Sequence, residues 1–289
     1  MKITKEMVNQ YIVPIRNFNI YSAPKEFEFI FDENLIIILK YFSYEDHTEP
    51  IDADIYSISD QGLLKMNYSW GLRFDSKQVK LNTYIENINL LMLAFRIFDK
   101  ADCSFEYILN VSNTHSSIKN FDKWKRAINT IKHSPTFTID TLQRIKEGYS
   151  KLQTFHSVSA RTKHSIQFLY LSYISFYWMQ AFVLFMTSLE SLVSPDIKSE
   201  KITSIIINRI NKLIPDKSIC SKNQLNKIYE LRSDIIHGKI LSDLHLVKEM
   251  PHIVRLQKVV LSVFNNILNS DFSTIYSNKM NFENFFSEE

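Results

Sequence analysis

The chain has 289 residues, of which 45% are hydrophobic and 22% charged, a globular balance that excludes a disordered or fibrous protein. Its four glycines argue against a glycine-built phosphate loop, and neither GxGxxG nor GxxxxGK[ST] occurs. The two cysteines, Cys103 and Cys220, have no CxxC partner, which excludes a disulfide framework and a thiolate zinc site. The N-terminal sequence lacks the apolar stretch of a signal peptide, so we expect a cytoplasmic protein.

The formal net charge of +3 is unevenly distributed along the chain. Residues 1–150 carry 18 Lys+Arg and 19 Asp+Glu, a net charge of −1, whereas residues 151–289 carry 16 and 12, a net charge of +4. Between Lys198 and Lys239 there are 9 basic and 4 acidic residues. This local excess indicates either a solvated helical face or a surface for a polyanion such as RNA.

The first 135 residues have the pattern of a mixed α/β domain. Strand patterns occur in four segments, 26–42 on both sides of Asp32-Glu33-Asn34, DIYSIS (54–59), LLKMNYSW (63–70) and SFEYILNVS (104–112). A helix is predicted over 83–100 from its apolar spacing. The segment HSPTF (133–137) marks the boundary, so we predict an α+β sensing or regulatory domain over 1–135, able to receive an activating ligand or partner protein.

Residues 136–289 are predicted to be an all-helical bundle with its core at about 160–268. Ser134 or Thr138 is the candidate cap of the first helix. The first predicted helix ends at about residue 155. The following helices are predicted over 160–193, with or without one break, over 199–213, over 222–237, and over a segment that starts at Pro251 and ends near 268. The tail NFENFFSEE is either a docking strip or disorder.

The segment Ser165–Leu189 contains 25 residues without a charge, a length that could span a bilayer. Polar residues interrupt this segment, and its tyrosines and tryptophan lie in the middle instead of at two interfaces. A central helix of a bundle is apolar nearly all round because its neighbours enclose it. We therefore favour a bundle helix and expect no membrane partner, and a membrane-anchored signalling protein is the third alternative.

The segment YELRSDIIHGK (229–239) contains the candidate catalytic residues. It places Arg232 and His237 near a predicted helix end, and Gly238 stands where a helix stop requires positive φ. Five positions correspond to about 140° around an ideal helix, so the two side chains converge only if the helix end frays. Arginine can bind and stabilise a phosphate, and histidine can transfer a proton near neutral pH. Together they suit RNA cleavage without a metal, since the 2′-OH is an internal nucleophile.

Three consecutive segments make this motif resemble the HEPN superfamily, and within it the Apea-like branch. They are FMTSLESLV (185–193), SEKITSIIINRINKL (199–213) and IYELRSDIIHGK (228–239). The resemblance implies a HEPN-type helical bundle and an endoribonuclease that uses Arg-x4-6-His without metal or cofactor. It also implies an RNA substrate, a homodimer formed through the helical domain with a composite site, and a role in phage defence or as a toxin.

Carried over to this sequence, the resemblance makes Arg232 and His237 the catalytic pair and Glu190 the acidic residue of the preceding helix. The family often has Asn, Asp or His directly after the arginine, where this chain has Ser233. Further supporting residues are Ser233, Asp234 and Gly238, and the predicted RNA contacts are Lys227, Lys239 and Arg209.

Several alternatives remain open from the sequence. Arg232 and His237 could form a structural helix-end pair with Asp234 or Glu230, and the whole module could be a non-catalytic HEPN scaffold for dimerisation or nucleic-acid binding. Other chemically suggestive pairs are interpreted as ordinary structure, namely Arg126 with His133, His245 with Glu249, Asp52 with Asp54, and His156 with His164. We therefore predict no metal site.

Overall fold

The computed structural model describes residues 9–15, 18–41, 70–76, 80–101, 103–105, 107–110, 117–120, 136–175, 177–195, 201–240 and 246–287. The chain divides into two compact units, one of Met1–Lys123 with Ile131–Tyr149 and the other of Trp124–Thr130 with Ser150–Glu289. The sequence predicts a domain boundary after residue 135, and this boundary stays a prediction.

An antiparallel sheet forms the framework of the first unit. Within the described residues, the strands of this sheet lie in the order β3-β4-β5-β1-β6-β7. They are β1 Asn9–Ile15, β3 Glu28–Asp32, β4 Ile37–Tyr41, β5 Trp70–Ser76, β6 Tyr107–Asn110 and β7 Ser117–Asn120. The short strands β2 (Asn19–Ile20) and β8 (Thr136–Phe137) pair in parallel as a separate ladder.

The predicted strands on the two sides of Asp32 are confirmed as the hairpin of β3 and β4. The Asp32 carboxylate accepts hydrogen bonds from the backbone N–H groups of Asn34 and Leu35, at 3.0 and 2.9 Å, and so stabilises the turn. Along β4, Ile37 and Leu39 are buried and Ile38 between them is less so, the alternation of a strand with one face on a core. The segment DIYSIS lies outside the described residues.

The predicted helix over 83–100 is confirmed as α1, Leu81–Asp99. Lys100 is its C-cap residue and has a left-handed backbone (φ 53°), and the Lys100 N–H donates to the Arg96 carbonyl at 3.1 Å. The next helix, α2, covers Ile139–Val158, and Thr138 caps it by accepting from the Thr141 N–H at 3.2 Å. Thr138 is one of the two predicted candidate caps, and the other, Ser134, lies outside the described residues.

The remaining helices follow in the second unit. They are α3 Ala160–Ile174, α4 Trp178–Val193, α5 Ile202–Leu213, α6 Lys222–Ile236, α7 Leu246–Leu268, α8 Phe272–Ile275 and α9 Lys279–Ser287. Together with the sheet, they confirm the coarse prediction of an α+β part followed by an all-helical part.

The uncharged segment Ser165–Leu189 is divided between α3 and α4, which are separate helices on the two sides of Ser175. The two helices pack through Ser165 and Ser188, whose hydroxyls each donate to the other's backbone carbonyl at 2.8 Å. Both serines are fully buried. None of the described helices is both long and apolar enough to cross a membrane.

The predicted start of α7 at Pro251 is wrong, because the helix begins five residues earlier at Leu246. Pro251 is the sixth residue of α7, past the first turn, where a proline removes one i→i−4 backbone hydrogen bond. Pro251 therefore marked the beginning of the helix only approximately.

The acidic and aromatic tail is a docked helix. Phe282 of α9 is buried, and the guanidinium groups of Arg161 and Arg209 lie over its ring at 4.2 and 5.3 Å. Arg209 also forms an ion pair with Glu283. Of the two alternatives for this segment, docking is therefore the one observed up to Ser287.

Candidate active-site cleft

Helix α6 carries the Arg-x4-His motif, and its two ends are sharply defined. At its start, the Ser221 hydroxyl accepts from the Gln224 N–H while the Gln224 side chain accepts from the Ser221 N–H, at 3.3 and 2.8 Å. At its end, the Gly238 N–H donates to the Ile235 carbonyl at 3.1 Å. The Lys239 N–H donates to the Asp234 carbonyl at 2.9 Å, which completes a Schellman motif.

The predicted glycine stop is confirmed, because Gly238 has φ 70°. His237 is the C-cap residue directly before it, and its side chain is exposed. The helix stays regular up to Ile236, so the 140° separation between Arg232 and His237 is kept within one chain. No hydrogen bond joins these two described residues, and their predicted convergence by fraying is not seen.

Arg232 instead contacts Glu190 of α4. The Arg232 Nη2 atom donates to the Glu190 Oε2 atom at 3.0 Å, and the two side chains are 29% and 18% exposed. Burial raises the pKa of Glu190 above its ordinary value, while the Arg232 charge and the Tyr229 hydroxyl oppose this rise. The structure thus brings together two of the predicted site residues, which lie 42 positions apart in the chain.

Tyr229 is the residue of this site that the sequence analysis missed. It is 8% exposed, and burial together with the neighbouring Glu190 carboxylate raises the pKa of its hydroxyl. The hydroxyl interacts with Glu190 electrostatically but forms no hydrogen bond of standard geometry. Its position three residues before Arg232, on a neighbouring part of the same helix, was the available signal.

Glu190 and Arg232 line an open cleft of about 630 Å³ between α4, α5 and α6. All three helices contribute to its lining, together with Ser194 directly after α4. The lining residues are Glu190, Ser194, Ile202, Thr203, Ile206, Ile207, Asn226, Tyr229, Glu230, Arg232 and Ser233. A cleft of this volume lies within the range of small-molecule sites. It places the partly buried guanidinium of Arg232 at a surface that a ligand can reach.

The other predicted site residues lie at different places. Ser233 lines the cleft, whereas Asp234 pairs with Lys239 at 2.7 Å on an exposed surface. Lys227 is exposed on α6. Arg209 donates to the Val193 carbonyl at 3.0 Å and contacts α9, so its guanidinium holds the end of α4 to the tail helix. Its assignment to RNA binding stays a prediction.

Among the described residues, no group of three or more His, Cys, Asp or Glu side chains could hold a metal ion. His164 is exposed on α3, and His156 is partly buried on α2. The remaining sequence candidates lie outside the described residues, namely Asp52, Asp54, Arg126, His133 and His245.

No protein-family model, curated protein or solved structure matches this chain.

Proposed function

We propose that this protein is a metal-independent endoribonuclease of the HEPN type that acts as a homodimer through its helical part. One observation carries the proposal: Arg232, held by Glu190 at 3.0 Å, lines an open cleft on the same helix that ends at the exposed His237. A permanent cation for a phosphate and an accessible proton-transfer group are the two functions that the reaction requires.

In the proposed reaction, His237 takes the proton of a ribose 2′-OH as general base. The 2′ oxygen then attacks the adjacent phosphorus, and the bond from phosphorus to the 5′ oxygen of the next nucleotide breaks. Arg232 stabilises the negative charge that develops on the phosphate oxygens. The His237 imidazolium formed in this step then donates its proton to the leaving 5′ oxygen, so the products carry a 2′,3′-cyclic phosphate and a 5′-OH.

A homodimer would supply the pair of groups that one helix holds apart. Because Arg232 and His237 point about 140° away from each other on a regular helix, one chain does not present both to the same phosphate. Two copies of α6 that face each other would place one copy's arginine near the other copy's histidine. Ile236, directly before His237, is 50% exposed and would be covered in such an interface.

The direct test is RNA cleavage in EDTA by the full chain and by His237→Ala and Arg232→Lys variants. His237 is exposed, so its replacement leaves the core intact, and Arg232→Lys keeps a charge beside Glu190 but loses the guanidinium fork. We expect each variant to lose activity by about 100-fold or more. Asn223→Ala, an exposed change on the first turn of the same helix that does not line the cleft, serves as the matched control.

The product ends provide the second readout. Cyclic phosphate at the 3′ end and a free 5′-OH support the proposed chemistry, and 5′-phosphate products would contradict it. Equal cleavage by the wild type and the His237→Ala variant would also contradict it.

The non-catalytic scaffold is the second candidate function, and the occupied state of Arg232 favours it. In this second function, the ion pair with Glu190 is the whole role of the Arg232 guanidinium, which holds α4 against α6 and binds no phosphate. RNA binding or dimerisation without any cleavage would identify this function.

For an active enzyme, we place the activity in phage defence or as a toxin, with the N-terminal part as sensor. We expect expression of the wild type, but not of His237→Ala, to arrest growth of the host.

A further inference from the structure

The two long walls of the cleft differ in chemistry. The wall from α5 is mainly apolar and contains Ile202, Ile206 and Ile207. The wall from α6 is mainly polar and contains Asn226, Glu230 and Ser233. The three polar residues follow one another at spacings of four and three positions, so they share one face of α6. The Arg232–Glu190 pair belongs to the same lining.

This arrangement matches the chemistry of an unpaired nucleobase. A base has apolar faces and an edge of hydrogen-bond donors and acceptors, and proteins bind such bases when they are splayed out of single-stranded RNA. Ile202, which is 37% exposed, can cover a face of the ring, whereas Ile206 and Ile207 are buried in the apolar wall. The exposed amide of Asn226 and carboxylate of Glu230 can accept from an exocyclic amino group, and the amide can also donate.

The cleft lining carries the Glu190 and Glu230 carboxylates and the Arg232 guanidinium, and the exposed lysines beside it favour RNA over a protein segment as the occupant. Lys222 and Lys227 are exposed on α6, and Lys227 is the direct neighbour of Asn226. Exposed ammonium groups of this kind attract a phosphate backbone that would run along the mouth of the cleft. Arg232, which the proposed function assigns to the scissile phosphate, is part of the cleft lining.

We propose that the cleft between α4, α5 and α6 binds one unpaired base of a single-stranded RNA, from the nucleotide next to the phosphate held by Arg232. This proposal rests on the proposed function for its choice of ligand. It makes the protein selective for single strands, because a base within a duplex cannot enter the cleft. It also assigns Asn226 and Glu230 to base selection.

The test measures RNA binding in the full-length His237→Ala background, so that the probe is not cut. The probes are fluorescently labelled short homopolymers of A, C and U, the same strands with one abasic position, and a duplex. Asn226→Trp fills the cleft from an exposed position, and Asn223→Trp is the matched control, since Asn223 is exposed on the same helix but does not line the cleft.

We expect Asn226→Trp to weaken binding of at least one single strand by about tenfold, within the range measured for single base contacts, and Asn223→Trp to leave it unchanged. Equal binding by the two tryptophan variants, or no binding of any single strand, overturns the base site. The base site is also overturned if Asn226→Trp breaks a dimer while RNA binding persists unchanged, because the cleft is then a protein interface.

Cleavage by the His237-containing protein, measured in parallel, separates this inference from the proposed function. If the wild type cleaves RNA while Asn226→Trp binds and cuts the same sites equally well, only the base site fails. If binding depends on the cleft but no RNA is cut, only the nuclease function fails.

Discussion

Arg232 owes its position to a carboxylate that is itself mostly buried. Glu190 is 18% exposed on α4 and shares its surroundings with the buried Tyr229 ring. A buried charge that loses its partner is costly, so each member of the Arg232–Glu190 pair restricts the other. The pair therefore fixes the direction of the guanidinium before any ligand arrives.

Glu190→Gln tests the burial of this carboxylate through the pH dependence of the free energy of unfolding. In the folded chain the pKa of Glu190 is raised above 4.5, its ordinary value, chiefly by burial. From pH 4.5 upward the folded state therefore holds the proton more tightly than the unfolded state, so this group's contribution to the free energy of unfolding falls as the pH rises through the raised pKa.

The glutamine variant lacks this proton, so we expect its free energy of unfolding to decrease less than that of the wild type as the pH rises from 4.5 towards 7. Urea unfolding at a series of pH values measures the difference. Parallel pH profiles for the two proteins would contradict the raised pKa of Glu190.

At the scale of elements, close approach between helices depends on small side chains. In the second unit, Ser165 and Ser188 let α3 and α4 meet and satisfy each other's carbonyls. In the first unit, Gly148 of α2 lies against the ring of Phe98 of α1, and a Cβ atom on Gly148 would lie 2.8 Å from the Phe98 Cγ atom. That distance is well inside van der Waals contact, so the ring or the helix would have to move.

Gly148→Ala should therefore destabilise the protein. Overpacking of this kind costs about 1–3 kcal/mol, and the higher helix propensity of alanine offsets roughly 1 kcal/mol. We expect a net decrease in the free energy of unfolding, measured by urea denaturation. Glu147→Ala, at an exposed position of the same helix, should show no such loss, and a Gly148→Ala protein as stable as that control would contradict the close approach.

At the scale of the whole molecule, the proposed reaction requires two copies. Each chain has a mass of 34.1 kDa, so light scattering of the purified protein should give twice that value. Ile236→Glu places a charge at a half-exposed apolar position beside His237, and we expect it to shift the protein to the monomer and abolish cleavage.

Met280→Glu is the matched control for the dimer, because Met280 is also apolar and is 69% exposed on α9. It introduces the same charge away from α6 and should leave both mass and cleavage unchanged. A monomeric wild type that cleaves RNA would contradict the composite site.

The amino-acid sequence by itself determined the local features, because each depends on residues close together in the chain. The hairpin around Asp32, the helix at Leu81–Asp99, the Thr138 cap and the stop at Gly238 follow from strand and helix periodicity and from terminal residues. The start of α7 was misplaced because proline near a helix N-terminus does not specify the first residue.

Only the tertiary structure decided which side chains meet. The sequence placed Arg232 with His237 by their spacing, yet the regular helix keeps them apart and packing between α4 and α6 joins Arg232 to Glu190. The isoleucine wall of the cleft was also beyond the reach of the sequence, since an apolar stripe looks the same in a core and in a site. Contacts between helices depend on their packing angle and rotation, and neither is encoded in the spacing of residues along one helix.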